Sequence, residues 1–295
     1  MQYELNNEKL TVRFESLGAE MISLKENHSG QEYLWSGDQK FWGRHSPILF
    51  PFVGRVRDNV YTYDNQTYPM QQHGFARDME FECISENKTE IWFAIEATPI
   101  TKENYPFDFR LEIGYRLEEG TVEVMWKVTN LEKEKELYFS IGAHPAFMCP
   151  LKEGEKQSDY SIWMDTPDDD ILFSKADLET GLMFNYKNQM NLSNGRRILS
   201  EESFDEGAYI IEDYQVRKIA LVNPENEPYL SVEFRTPVVG IWSPEKKNAP
   251  FVCIEPWYGR CDRETFIGTL KEREWGNKLV PKAVFERSYQ IKVEK

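Results

Sequence analysis

The sequence predicts an all-β fold, a large antiparallel β-sandwich with few short helices. Short runs rich in aromatic and β-branched residues recur along the chain, many alternating polar with apolar as half-buried strands do. Gly, Pro and Asn fall between successive runs, and helical periodicity is scarce.

In chain order the expected strands are "LTVRFE", "EIWFAIEA", "FRLEIGYRL", "TVEVMWKVTN", "ELYFSIG", "KIALVN" and "YLSVEF". The segments "RLEEGTVEV" and "VNPENEPYLSV" place turn residues between two such runs and read as hairpins. Short helices are expected within "SKADLETGL" and around "ETFIGTLKEREWG", and long loops over Lys152–Ser158 and Lys187–Ser203. With 295 residues, 40% of them hydrophobic, the chain can bury a large core; no repeat or linker divides it, so residues 1–295 are expected to form one domain.

Charge and composition narrow the partners. A formal charge of −15 opposes nucleic acid and anionic membranes over the surface as a whole. The opening "MQYELNNE" has no basic, apolar signal pattern, and "PILFPFVG" is too short to span a bilayer. Cys83, Cys149, Cys253 and Cys261 include no Cys-x-x-Cys pair and read as reduced core thiols. A soluble, unexported, cytoplasmic protein is the expectation, with no nucleic-acid or membrane partner; its oligomeric state is left open.

Four segments break the alternating pattern, each with a polar group at an expected strand end: "ILFPFVGRVRDN", "QQHGFARDMEF", "SIGAHPAF" and "FVCIEPWYGRCD". His144 follows a strand and precedes Pro145, which cannot continue a central ladder. Glu255 sits between "FVCI" and "PW", where a carboxylate is rarely buried without a partner; Arg55, His73 and His144 are the available partner types. A lone histidine at a strand end is more often structural than catalytic, and Arg77 with Asp78 and Arg260 with Asp262 read as ion pairs beside the site. Trp257, Tyr258, Phe75 and Phe147 read as core or wall residues, placed to suit a sugar whose C–H face packs on rings while its hydroxyls seek charged partners. His28 and His45 have no such context. Metal-ligand spacing, Gly-x-Ser-x-Gly and glycine-rich phosphate loops are all missing, so no metal or nucleotide cofactor is expected.

Taken together and in order, "FPFVGR", "HGFARD", "GAHPAF" and "IEPWYGRCD" resemble the aldose 1-epimerase (galactose mutarotase-like) family, in its LacX-like branch, across essentially the whole chain. The resemblance implies a β-sandwich of the supersandwich type, no cofactor, and interconversion of the α and β anomers of a free aldose. It implies His144 as general acid, Glu255 as general base, and His73 and Arg55 as sugar-binding groups, with Arg77 and Trp257 beside them. A later-loop aspartate of the family is matched to Asp205, near Gly207. A hexose-6-phosphate 1-epimerase, with Arg77 and Arg260 near the phosphate, and a carbohydrate-binding sandwich without turnover are the alternatives.

Overall fold

The computed structural model describes residues 1–294. Two large antiparallel sheets dominate it. One has nine strands, in the order Arg196–Ile198, Ser161–Asp165, Lys218–Val222, Pro228–Glu233, Val284–Val293, Thr121–Asn130, Phe109–Glu118, Glu90–Glu96 and Glu82–Glu86. The other has eight: Asn188–Asn191, Asp170–Ser174, Tyr209–Ile211, Val238–Trp242, Phe251–Tyr258, Ile141–Ala143 and Ile48–Leu49, with Ala146–Met148 also pairing with Phe251–Tyr258. Three smaller sheets, one of three strands and two of two, accompany them.

Both expected hairpins form. Phe109–Glu118 pairs with Thr121–Asn130 around Glu119–Gly120, and Lys218–Val222 with Pro228–Glu233. The Thr121–Asn130 strand alternates intermediate and buried positions along its whole length, and its buried apolar residues (Val122, Val124, Trp126, Val128) join a core cluster that runs from Leu5 to Ile291. At about 25 cal/mol per Å² of apolar area removed from water, that shared burial is the main force holding the sheets together.

Three local expectations are corrected. "SKADLETGL" is a turn, not a helix: Asp177 Oδ1 accepts from the Thr180 N–H at 2.7 Å and the Thr180 hydroxyl at 2.8 Å, satisfying the backbone locally instead of through a helical ladder. The Lys187–Ser203 loop contains the strands Asn188–Asn191 and Arg196–Ile198, each pairing at a sheet edge. The one α-helix among the described residues, Pro99–Asn104, begins with a Thr98/Thr101 capping box and proline in its first turn, a start signal the strand-rich surroundings obscured. "ETFIGTLKEREWG" holds a single 3-10 turn, Leu270–Glu272. No helix among the described residues is long and apolar enough to cross a membrane.

Candidate active site

The site lies on the face of the eight-stranded sheet that points away from the nine-stranded one. Along Phe251–Tyr258 side chains alternate: Val252, Ile254 and Tyr258 enter the core between the sheets, while Cys253, Glu255 and Trp257 face the other way. The same parity explains why Tyr258 and Phe147 are core residues and not cavity walls, and Phe75 packs against that core too.

Glu255 is therefore not at a strand end, as expected, but near the middle of an eight-residue strand. His144 does follow a strand end, yet the break is brief. Ile141 and Gly142 pair with Tyr258 and Trp257, and after His144–Pro145 the chain resumes with Ala146 opposite Cys253 and Phe147 opposite Val252. The register is the same on both sides of the gap, so His144 falls directly across from Glu255. Its Nε2 lies 3.2 Å from Glu255 Oε2. Pro145 and Pro256 flank this rung and neither has an N–H to donate, so each removes a ladder bond next to it. What remains is the Ile254 N–H donating to the Pro145 carbonyl at 3.3 Å. That is how a proline sits in a central strand: its missing donor faces the interruption.

His144 is held by its N–H to the Pro47 carbonyl (3.1 Å) and by two indoles. Trp42 stacks on its ring at 4.7 Å between centroids, and Trp242 meets it edge-on at 5.3 Å. Trp257 lies over two glycines: a Cβ on Gly142 or on Gly240 would come within 2.6 Å of its ring. His73, at φ 68° and preceding Gly74, sits 5.6 Å from His144 between ring centroids. Its Nδ1 accepts from the Gly54 N–H at 3.1 Å, which places the proton of the neutral ring on Nε2.

These groups line one cavity of about 500 Å³, together with Arg44, Arg55, Gln72, Arg77, Asp177 and Glu245. Arg55 donates to the Glu179 carbonyl at 3.2 Å and to Gln72 Oε1 at 3.3 Å. Arg77 donates to the Gln72 carbonyl at 2.8 Å and lies 3.9 Å from Asp78, which is held more closely by Arg44 at 2.7 Å. The Nε atoms of Arg55 and Arg77, Nδ1 of His144 and Nε1 of Trp257 are buried without a hydrogen-bond partner.

Burial opposes charge on both members of the central pair. It pulls the His144 imidazole down to about 3, helped by the Arg77 charge, and pushes the Glu255 carboxyl well above the usual carboxylate range. Both shifts favour the neutral forms of the pair. His73 is held well below its ordinary value, first by burial and then by His144 and the surrounding arginines. Arg77 is drawn down to about 10 by burial and by Arg44.

Of the residues singled out in the sequence, His144, Glu255, Arg55, His73, Arg77 and Trp257 line the cavity. Asp205 does not: it lies in a turn, its N–H donating to the Glu202 carbonyl, and the carboxylates at the cavity besides Glu255 are Asp177 and Glu245. Arg260 is also absent from the cavity and does not pair with Asp262. It is buried against Glu212 at 2.7 Å and contacts Glu274, while Asp262 binds Arg273 at 2.7 Å. Trp42, Arg44, Gln72 and Trp242 were not anticipated.

Comparison with known proteins follows the same lines. The family model described as aldose 1-epimerase matches residues 1–265. The chromosomal LacX protein of Lactococcus lactis subsp. lactis is 33% identical over 300 residues, covering 99% of each chain. A galactose mutarotase related enzyme from Lactobacillus acidophilus superposes with a TM-score of 0.93 at 32% identity, covering 100% of this chain and 98% of that one. A galactose mutarotase-like protein from Lactobacillus casei gives 0.91 at 28%, covering 100% of both.

Proposed function

Because this chain belongs to the aldose 1-epimerase family, we propose that it interconverts the α and β anomers of a free hexose by acid/base opening and reclosure of the ring. The observation that carries the reading is the facing pair His144 and Glu255, 3.2 Å apart in a cavity of ligand size.

Anomer exchange requires one proton to leave O1–H while another reaches the ring oxygen; the C1–O5 bond opens to an aldehyde, C1–C2 rotates, and reclosure reverses both transfers. The pair holds one shared proton. When a sugar enters, its hydroxyls hydrogen-bond the pair and make the charged form accessible, with the proton on His144 and Glu255 ionised. Glu255 then takes the O1 proton and His144 gives its own to the ring oxygen. His73 Nε2–H and the Arg55 and Arg77 guanidiniums donate to sugar oxygens and stabilise the charge that develops there. Trp257 and Trp42 offer apolar faces to the C–H surface of the sugar. A site for binding alone has no need of a facing acid and base, which disfavours a sandwich without turnover.

One observation favours a second reading. Arg44, Arg55 and Arg77 all line the cavity, so a hexose 6-phosphate loses Arg260 from its candidate cations but gains Arg44. Asp78 offsets much of this charge, lying 2.7 Å from Arg44, and Asp177 and Glu245 add negative charge to the same wall. The free sugar is therefore the primary proposal. Magnetisation-transfer NMR of glucose, galactose and glucose 6-phosphate at equal concentration and modest salt tests it. Faster exchange of a free hexose is the expected result; exchange confined to the phosphate and lost in Arg77→Ala would promote the second reading.

A further inference from the structure

Directly behind the acid/base pair lies a thiol. Cys253 shares a strand and a face with Glu255, and His144 comes across the sheet to the same place; Nε2 or Nδ1 of His144, Sγ of Cys253 and a Glu255 oxygen all lie within 4.8 Å of one another, all buried. Sequence spacing concealed this cluster because the histidine belongs to a different strand.

We propose that His144, Cys253 and Glu255 form a latent three-donor site for a soft divalent cation such as Zn²⁺, and that occupying it switches off the acid/base pair. The switching half of the inference rests on the epimerase reading; the binding half does not.

The geometry is close to what a tetrahedral ion needs. Bonds of about 2.0 Å to nitrogen and oxygen and about 2.3 Å to sulfur put neighbouring donors roughly 3.3–3.6 Å apart. The imidazole and carboxylate are already at 3.2 Å, so the sulfur must close the remaining gap, a movement of about 1 Å or slightly more. Three protein donors leave a fourth position toward the cavity that His144 and Glu255 line, filled by water or hydroxide. Mixed N, S and O donors select Zn²⁺ or Cd²⁺ over Mg²⁺ or Ca²⁺, which take oxygen ligands. Binding is a displacement without redox change: the thiol and the carboxyl each lose a proton to solvent, their lone pairs and that of the imidazole bond the ion, and the ion sheds water. Because binding releases the protons of the thiol and the carboxyl, affinity rises with pH. With its lone pairs on the metal, Glu255 can no longer accept a proton and His144 can no longer donate one.

Cadmium chloride titrated into the purified protein provides a readout independent of activity, the ultraviolet thiolate-to-cadmium absorption. One equivalent is expected to produce the band in the wild type and not in Cys253→Ser, with Cys253→Ala as a second variant should the first not fold by circular dichroism. In parallel, Zn²⁺ is expected to inhibit anomer exchange reversibly by EDTA, and the Cys253 variants to need at least tenfold more Zn²⁺ while turning over normally without metal. A band that persists in both variants, or equal Zn²⁺ sensitivity, overturns the site. A Cys253-dependent band in a protein that exchanges no sugar anomers upholds the site and overturns the epimerase reading instead.

Discussion

His144 stands directly across the sheet from Glu255, its Nε2 3.2 Å from Oε2, on a rung with a proline at each side. The candidate chemistry thus rests on strand register, not on a flexible loop.

Glu255→Gln should lower kcat by about 10²–10⁴-fold, the range for loss of a positioned acid or base. The amide keeps the shape of the carboxyl and a donor for His144, so the fold should survive. Polarimetry beside circular dichroism checks both; near-normal turnover in a folded variant removes Glu255 from the mechanism.

His144→Asn and Arg55→Ala should separate kinetically. Loss of a group that acts in the transition state lowers kcat with little change in KM, whereas Arg55, anchored on the Glu179 carbonyl and Gln72, also holds the ground-state sugar, so its loss raises KM. A His144→Asn variant altered in KM alone would end its assignment as acid.

The pH profile of kcat/KM follows from the shared proton. Its acid limb marks a second proton joining the pair and moves down toward about 3 with His144; its alkaline limb marks loss of the last proton and moves up with Glu255. A plateau through neutrality is expected, wider than the roughly two-unit window between an ordinary Glu and an ordinary His. NMR exchange rates with the uncatalysed reaction subtracted measure it, and a narrow bell within that window would return both groups to ordinary values.

Gly240→Ala should displace Trp257, because the new Cβ meets the indole within 2.6 Å. Overpacking of this kind costs about 1–3 kcal/mol. A lower Tm with a raised KM is the expected pair of effects; an unchanged KM would take Trp257 out of sugar binding.

Arg260→Ala should be among the most destabilising substitutions. Arg260 and Glu212 are each 3% exposed, and breaking such a buried pair costs about 3–5 kcal/mol where the remaining charge is left alone; Arg263, 3.3 Å from Glu212, offsets part of that here. Burial pushes the Glu212 carboxyl up, but its bonds to Arg260 and Trp275 outweigh that and hold it below the ordinary carboxylate value. The stability it contributes is present above the ordinary value and is lost as pH falls through the lowered one. Urea denaturation of wild type and variant at neutral and acid pH tests this; equal stability at neutral pH would overturn it.

The sequence exposed those parts of the site whose signal is local. His144 and Glu255 were visible because a proline follows each and their surroundings are apolar. Arg44 and Trp42 were not: they lie in a segment without regular structure, fixed locally by the Trp35 indole donating to the Trp42 carbonyl at 2.8 Å and from farther along the chain by the His45 N–H donating to Glu20 at 2.6 Å. Proximity misled for Arg260, whose partner Glu212 lies just past the end of the Tyr209–Ile211 strand, and for Asp205, which lies in a turn away from the cavity. Among the strands, alternation sufficed for "TVEVMWKVTN", whereas the polar Asn188–Asn191 and Arg196–Ile198 strands are specified by their neighbours at the sheet edges.

The two prolines have a further effect during folding. A slip of Phe251–Tyr258 by one residue would turn Glu255 into the apolar core, and a slip by two would carry Pro256 beyond the interruption, where the ladder needs a donor it does not have. Wrong alignments are thus penalised by the backbone itself, before any side chain is tested. The residues that open the ladder also act as its alignment marks, so a chain that folds at all arrives with His144 and Glu255 already face to face.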